Sequence, residues 1–196
     1  MSRRLIGVAG APGAGKTTWA RSYAAGVPTA AYLPMDGFHL SDAVLADLGL
    51  TERKGAPETF DAWGYAALLR RLREQEPHPV YAPGFERDLE QPLAAALVVA
   101  PEAAVVVTEG NYLLLDEEPW RAVRAALDEV WFLDCEDDVR RERLVARHRE
   151  FGKSPSEAAA WVDRVDEPNA RLVLASRHRA DRVVHAEDAS GAPPVS

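Results

Sequence analysis

Gly10-Ala11-Pro12-Gly13-Ala14-Gly15-Lys16-Thr17 lies between an apolar run over residues 5–9, with the composition of a buried strand, and a segment from 15 to about 25 with the pattern of a helix. Strand, glycine-rich loop, Lys-Thr and helix in that order form the Walker A arrangement. Glycines at 10, 13 and 15 let the backbone turn sharply and bring its N–H groups against phosphate oxygens, where a Cβ would obstruct. The helix N-terminus adds partial positive charge. Lys16 is placed to reach the β- and γ-phosphates, the Thr17 hydroxyl to ligate Mg²⁺, and Thr18 to donate to a further phosphate oxygen. The nucleotide-binding set expected here is therefore Gly10, Ala11, Pro12, Gly13, Ala14, Gly15, Lys16, Thr17 and Thr18. The bland alternative is a glycine-rich turn carrying a solvent-facing lysine. The loop by itself does not separate kinases from GTPases, transporters or motor ATPases.

Outward from the loop, short β-rich runs alternate with longer helical patterns, as in a parallel sheet with helices on both faces. Strands are expected at 29–35, 104–108, 129–133 and 182–185, and helices at 61–74, 117–127 and 136–148, with Asp61 capping the first of these. Gly152-Lys153-Ser154-Pro155 breaks the helical pattern as a hinge would, Ser154 or Ser156 can cap a helix running through Trp161 and Val165, and Pro168 is expected to begin a new helix over 169–177. The expectation is one domain over 1–186 with a helical lid at about 140–160, and a disordered tail over 187–196.

A length of 196 residues suits a single domain with one sizeable core. The net charge of −8 argues against a nucleic-acid coat or a membrane-surface role, because phosphate backbones are bound by clustered Lys and Arg. Gly10, Pro12 and Lys16 interrupt the first apolar run too early for a signal peptide, and no segment approaches a membrane span. The single cysteine, Cys135, beside Trp131, Phe132 and Leu133, reads as a buried thiol in a reducing compartment, so a cytoplasmic location is expected.

Two carboxylates stand where open α/β sheets place ligands, at strand carboxyl ends. Asp36, in Pro34-Met35-Asp36-Gly37-Phe38-His39, could take the proton of an attacking hydroxyl, or could merely support the Asp-Gly turn. Glu109, after Val105-Val106-Val107-Thr108, could hold Mg²⁺ with Thr17, although the acid at this place is usually Asp. Arg140, Arg143 and Arg147 share one helix face and suit a lid that brings guanidinium groups to developing phosphate charge; a solvated face paired with nearby acids is the alternative. The five histidines show no zinc spacing.

With Met35-Asp36-Gly37-Phe38-His39, Arg53-Lys54-Gly55-Ala56-Pro57-Glu58-Thr59-Phe60-Asp61, Pro83-Gly84-Phe85-Glu86-Arg87 and Glu109-Gly110-Asn111-Tyr112 added to the Walker A stretch, the chain resembles the uridine kinase, phosphoribulokinase and pantothenate kinase group of P-loop kinases. More narrowly, it resembles bacterial proteins described as nucleoside/nucleotide kinases or fructose-transport-system kinases. The resemblance implies a three-layer α/β/α P-loop NTPase fold with a mostly parallel five-stranded sheet and a helical lid. It also implies Asp36 as the base, Asp61 as a residue holding substrate hydroxyls and Arg87 near the substrate. Together with the readings from the residues themselves, the expected sets are Asp36, Lys16, Arg143 and Arg147 for the chemistry, Asp36, His39, Lys54, Asp61, Arg87, Glu109 and Tyr112 facing substrate, and Thr17 and Glu109 at the metal. Asn169, in Asp166-Glu167-Pro168-Asn169-Ala170, is expected to face nucleotide or substrate. Phe85-Glu86-Arg87 replaces the Tyr-Asp-Phe of uridine kinases, and the Tyr-Ser-His of pantothenate kinases is absent, so neither acceptor carries over.

The resulting expectation is an ATP- and Mg²⁺-dependent kinase acting on a hydroxyl of a nucleoside, a pantothenate-like alcohol or a sugar, with no nucleic-acid or membrane partner and with a homodimer left open. Two rivals are an NTP-hydrolysing regulatory switch and an ATP-binding interaction module without a metabolite acceptor. The absence of an Asn-Lys-x-Asp guanine-reading motif weakens the GTPase form of the first.

Overall fold

The computed structural model describes residues 3–186 and 188. Three near-continuous apolar runs form the buried centre of a parallel sheet: β1 (Arg4–Ala9), and, further along, Val105–Glu109 and Glu129–Leu133. In chain order, β1 is followed by α1 (Lys16–Gly26), β2 (Ala30–Pro34), α2 (Asp42–Asp47), α3 (Ala62–Arg73), β3 (Val80–Glu86), β4 (Gln91–Val99) and β5 (Val105–Glu109). Then come α4 (Trp120–Ala125), β6 (Glu129–Leu133), α5 (Asp137–Glu150), α6 (Pro155–Trp161), α7 (Glu167–Ala175) and β7 (Arg182–Val184). The sheet has five strands in the order β2-β5-β1-β6-β7, and every neighbouring pair is parallel.

Side chains alternate across β1, so Leu5 and Ala9 join one apolar cluster with Tyr65, Leu69 and Trp120 from α3 and α4, while Ile6 and Val8 join another with Trp19, Ala20 and Tyr23 from α1. Helices on both faces make three layers, the P-loop NTPase architecture. Pro34 and Val8 both lie opposite Glu109 in the strand register, so the carboxyl ends of β1, β2 and β5 finish level with one another. That common edge positions the site.

Several local expectations are corrected. Beyond the expected strands, Pro83 and Gly84 lie within β3, which pairs antiparallel with β4 in a separate two-stranded sheet. The register shifts between Ala82 and Gly84, which leaves Pro83, with no N–H to donate, at the irregularity. Pro168 does not open an independent helix: α6 runs through a π-helical turn, Val162–Asp166, directly into α7. The wider turn accommodates the proline, which cannot donate to a carbonyl one turn back. Gly152, at φ 94°, ends α5, and Ser154 rather than Ser156 caps α6, in a reciprocal capping box with Glu157. Cys135 is only half-buried, because it lies beyond the end of β6 on the loop into α5. The expected disordered tail falls outside the described residues apart from Asp188, whose carboxylate accepts from the His185 backbone N–H.

Candidate active site

The loop between β1 and α1 needs its glycines. Gly13 and Gly15 hold φ of 82° and 91°, and a Cβ on Gly13 would come within 2.5 Å of the Arg140 carbonyl oxygen in α5. Lys16, the first residue of α1, is buried, and its Nζ donates to the Ala11 carbonyl at 3.1 Å across the loop. Burial lowers its pKa to about 8, with the like charge of Arg147 adding to the effect and Glu109 and Asp36 opposing it.

Glu109, at the end of β5, is 4% exposed. Its Oε1 accepts from the Thr17 hydroxyl at 3.1 Å and from the Tyr32 phenol at 2.8 Å. Behind it the Thr108 hydroxyl donates to the Leu33 carbonyl at 2.6 Å and bonds the Tyr65 hydroxyl, locking β5 to β2 and α3. Burial and the nearby Asp36 push the Glu109 carboxyl above the usual range, with Lys16 pulling the other way. A divalent cation at the Thr17 hydroxyl and Glu109 would relieve both causes, so this donor set of a hydroxyl and a hard carboxylate fits Mg²⁺. The cradle of glycines around a buried lysine fits a polyphosphate.

These groups line one side of a cleft of about 940 Å³ that also takes in Asp36, His39, Lys54, Arg87, Asn111, Arg143, Arg147 and Asn169. Asp36 sits in a 3₁₀ turn, Met35–Phe38, immediately after β2. Among the described residues its carboxylate has no ion pair and no hydrogen-bonded side-chain partner. The His39 ring lies 3.9 Å from Phe60, centroid to centroid, and burial lowers its pKa to about 4, so it is neutral near pH 7. Lys54 is tied to Asp42 and to the Glu90 carbonyl, both at 2.7 Å. Arg87 is exposed at the β3–β4 turn and, among the described residues, has no ion pair.

The remaining expected residues divide. Arg143 Nη1 approaches the Ala14 carbonyl at 3.4 Å and Cys135 Sγ at 3.7 Å, and Arg147 lines the cleft. Arg140 does not join them: it is 1% exposed and pairs with Asp137 at 2.9 Å and Glu167 at 2.7 Å, so it braces α5 against α7. Asp61 caps α3 by accepting from Gly64 N–H at 2.8 Å and is not among the residues lining the cleft. Tyr112 is fully buried, and its hydroxyl donates to the Gly55 carbonyl, which pins the 53–59 loop from beneath. Sequence reasoning missed Tyr32 and Phe85, both of which line the site, and Trp161 in the cleft wall, flanked by Lys153 at 4.6 Å and Arg164 at 5.2 Å. The position of Tyr32, two residues before the end of a strand leading to Asp36, was the one available signal.

The model of the phosphoribulokinase/uridine kinase family matches residues 5–186. The chain belongs to that family. The chain is 35% identical over 190 residues to YggC of Escherichia coli K12, covering 93% of this chain and 77% of YggC. It is 38% identical over 133 residues to the ATP-dependent kinase-like protein notR′ of Aspergillus versicolor, covering 64% of this chain and 77% of that one. Among solved structures, a protein of Silicibacter sp. TM1040, provisionally described as a fructose transport system kinase, superposes with a TM-score of 0.86 at 39% identity, over 93% of this chain and 90% of that one. YFH7 of Saccharomyces cerevisiae, at 19% identity and a TM-score of 0.77, shares the fold. The chain carries the glycine-rich loop and the acidic strand end in one cleft. Among the described residues no helix is long and apolar enough to cross a membrane.

Proposed function

We propose that this family member transfers the γ-phosphoryl group of ATP to a hydroxyl of a small metabolite, with Asp36 as the base. The observation that carries the reading is the uncommitted Asp36 carboxylate, in the same cleft as Lys16, Thr17 and Glu109 and level with them at the sheet edge. The loop N–H groups and Lys16 hold the phosphates, and Arg143 and Arg147 approach from α5 as the charge develops. Mg²⁺, when bound by Thr17 and Glu109, neutralises charge on the phosphoryl oxygens. Asp36 orients the acceptor hydroxyl and accepts its proton as the new O–P bond forms and the bond between the γ-phosphorus and its bridging oxygen breaks, releasing ADP. The segment at about 140–160, made of α5, the Gly152 turn and α6, acts as the lid of a single domain that excludes water while this happens.

ADP release from ATP–Mg²⁺ tests this against pantothenate, uridine, cytidine, fructose, ribulose 5-phosphate and glycerate, with Asp36→Asn as control. One acceptor class should raise the rate, and Asp36→Asn should cut that rise by about 10² to 10⁴. Equal turnover with every compound, unchanged by Asp36→Asn, would instead fit a nucleotide switch.

A further inference from the structure

We infer that the acceptor carries an anionic group, a carboxylate or a phosphate, seated between Arg21 and Arg87 in a side cavity next to Asp36, so that the substrate is a small hydroxy acid or sugar phosphate rather than a neutral nucleoside. This rests on the phosphoryl-transfer reading only in placing the acceptor beside Asp36. The cavity, of about 150 Å³, shares Asp36, Phe85 and Arg87 with the main cleft and lies between α1, the end of β2 and the β3–β4 hairpin. At about 30 Å³ per water, its volume matches roughly five waters, room for an anionic head and a few carbons.

Its charges are unevenly committed. Of its three carboxylates, Glu109 already accepts from Thr17 and Tyr32, Glu86 accepts from the Asp88 backbone N–H at 3.3 Å, and Asp36, at the reacting end, has no side-chain partner among the described residues. The two guanidinium groups, both exposed, likewise have no ion pair among the described residues. Arg21 is held in place by lying over the Tyr32 ring, its central carbon 5.0 Å from the ring centroid, and Arg87 is carried on the hairpin turn. Lys54, the other cation on the acceptor side, is already neutralised by Asp42 and bonded to the Glu90 carbonyl.

The rest of the lining includes an apolar group, Pro34, Leu93, Ala96 and Leu97. Gly84 keeps it open, since a Cβ there would stand 3.1 Å from that of Ala96. A neutral acceptor filling this space would leave both exposed arginines without an anionic partner. A carboxylate or phosphate would accept from both forks while its hydroxyl end lies at Asp36.

The test is equilibrium binding of matched pairs, glycerate against glycerol and ribose 5-phosphate against ribose, to the full chain loaded with Mg²⁺ and an ATP analogue that cannot transfer its γ-phosphoryl group. At least one charged member should bind about tenfold or more tighter than its neutral partner, and the pair that shows the larger gap tells carboxylate from phosphate. Arg87→Ala and Arg21→Ala should each shrink the gap severalfold, whereas Arg87→Lys should retain part of it. Equal affinities within both pairs, no binding of any of the four compounds, or a gap that survives both alanine variants would overturn the inference. Because the readout is binding, a failure of phosphoryl transfer would show in ADP release and not here.

Discussion

On the side of the cleft proposed for the nucleotide the chain presents backbone: a loop whose glycines would admit phosphate oxygens, closed by a lysine at the start of a helix. On the side proposed for the acceptor it presents side chains from separate segments: Asp36 after β2, Lys54 on the loop before α3, and Arg87 on a hairpin turn. The first surface is defined within eight consecutive residues, and the second only by tertiary contacts such as the bridge between His39 and Phe60 and the pairing of Lys54 with Asp42. The two sides should therefore fail differently when altered.

The largest effect is expected at Lys16. Lys16→Ala should lower acceptor-dependent ADP release by about 10³-fold or more, through lost stabilisation of the transferring phosphoryl group, while the melting transition stays cooperative. Near-wild-type turnover in a folded Lys16→Ala protein would remove the nucleotide side from the chemistry altogether.

Next comes the brace beneath both sides. Arg140 is buried between α5 and α7, and its carbonyl faces Gly13. Arg140→Ala should destabilise the fold by about 3 kcal/mol in urea titration, since Glu167 would lose one of its two arginine partners in a site with little solvent. A change under about 0.5 kcal/mol would mean that the pair behaves like an exposed one.

A pH series probes the glycine-rich loop through the charge on Lys16. Lys16 titrates near 8 in the folded chain against an ordinary 10.5, so between those values the unfolded chain binds more protons and stability rises with pH; below 8 the cost of burying the charge is present in full. Wild type should therefore gain stability relative to Lys16→Met as pH rises from about 8 to 10.5, while kcat/KM for ATP falls over the same range as the free enzyme loses the charge. Parallel stability curves for the two proteins would contradict the burial of a charged lysine.

The smallest effect should be at Asp61, which the family resemblance places on the substrate and the structure places at a helix cap. Asp61→Ala should cost about 1 kcal/mol of stability and change kcat/KM for the acceptor less than about threefold. A tenfold rise in KM with unchanged stability would restore the substrate role.

The fold and the glycine-rich loop were legible because local chemistry encodes them: β-branched runs too apolar for an exposed strand, glycines at fixed offsets, and Asp61 and Ser154 at helix starts. The hairpin was not, because Pro83-Gly84 breaks a strand on propensity grounds and is tolerated only at an irregularity in a two-stranded sheet. Arg140 was legible as sharing a face with Arg143 and Arg147, but not as buried, because its partner Glu167 lies in a helix that arrives 27 residues later. The same limit hid the role of Arg3, whose buried guanidinium donates to the Leu72, Ala100 and Ala103 carbonyls and ties α3 to the turn between β4 and β5.

The most direct test of the separation measures ATP–Mg²⁺ affinity and acceptor-dependent ADP release on one preparation of Asp36→Asn. The account predicts an affinity within about threefold of wild type and a loss of turnover of at least about 10². Retained turnover, or a loss of nucleotide affinity that accounts for the whole defect, would contradict the assignment of Asp36 to the acceptor.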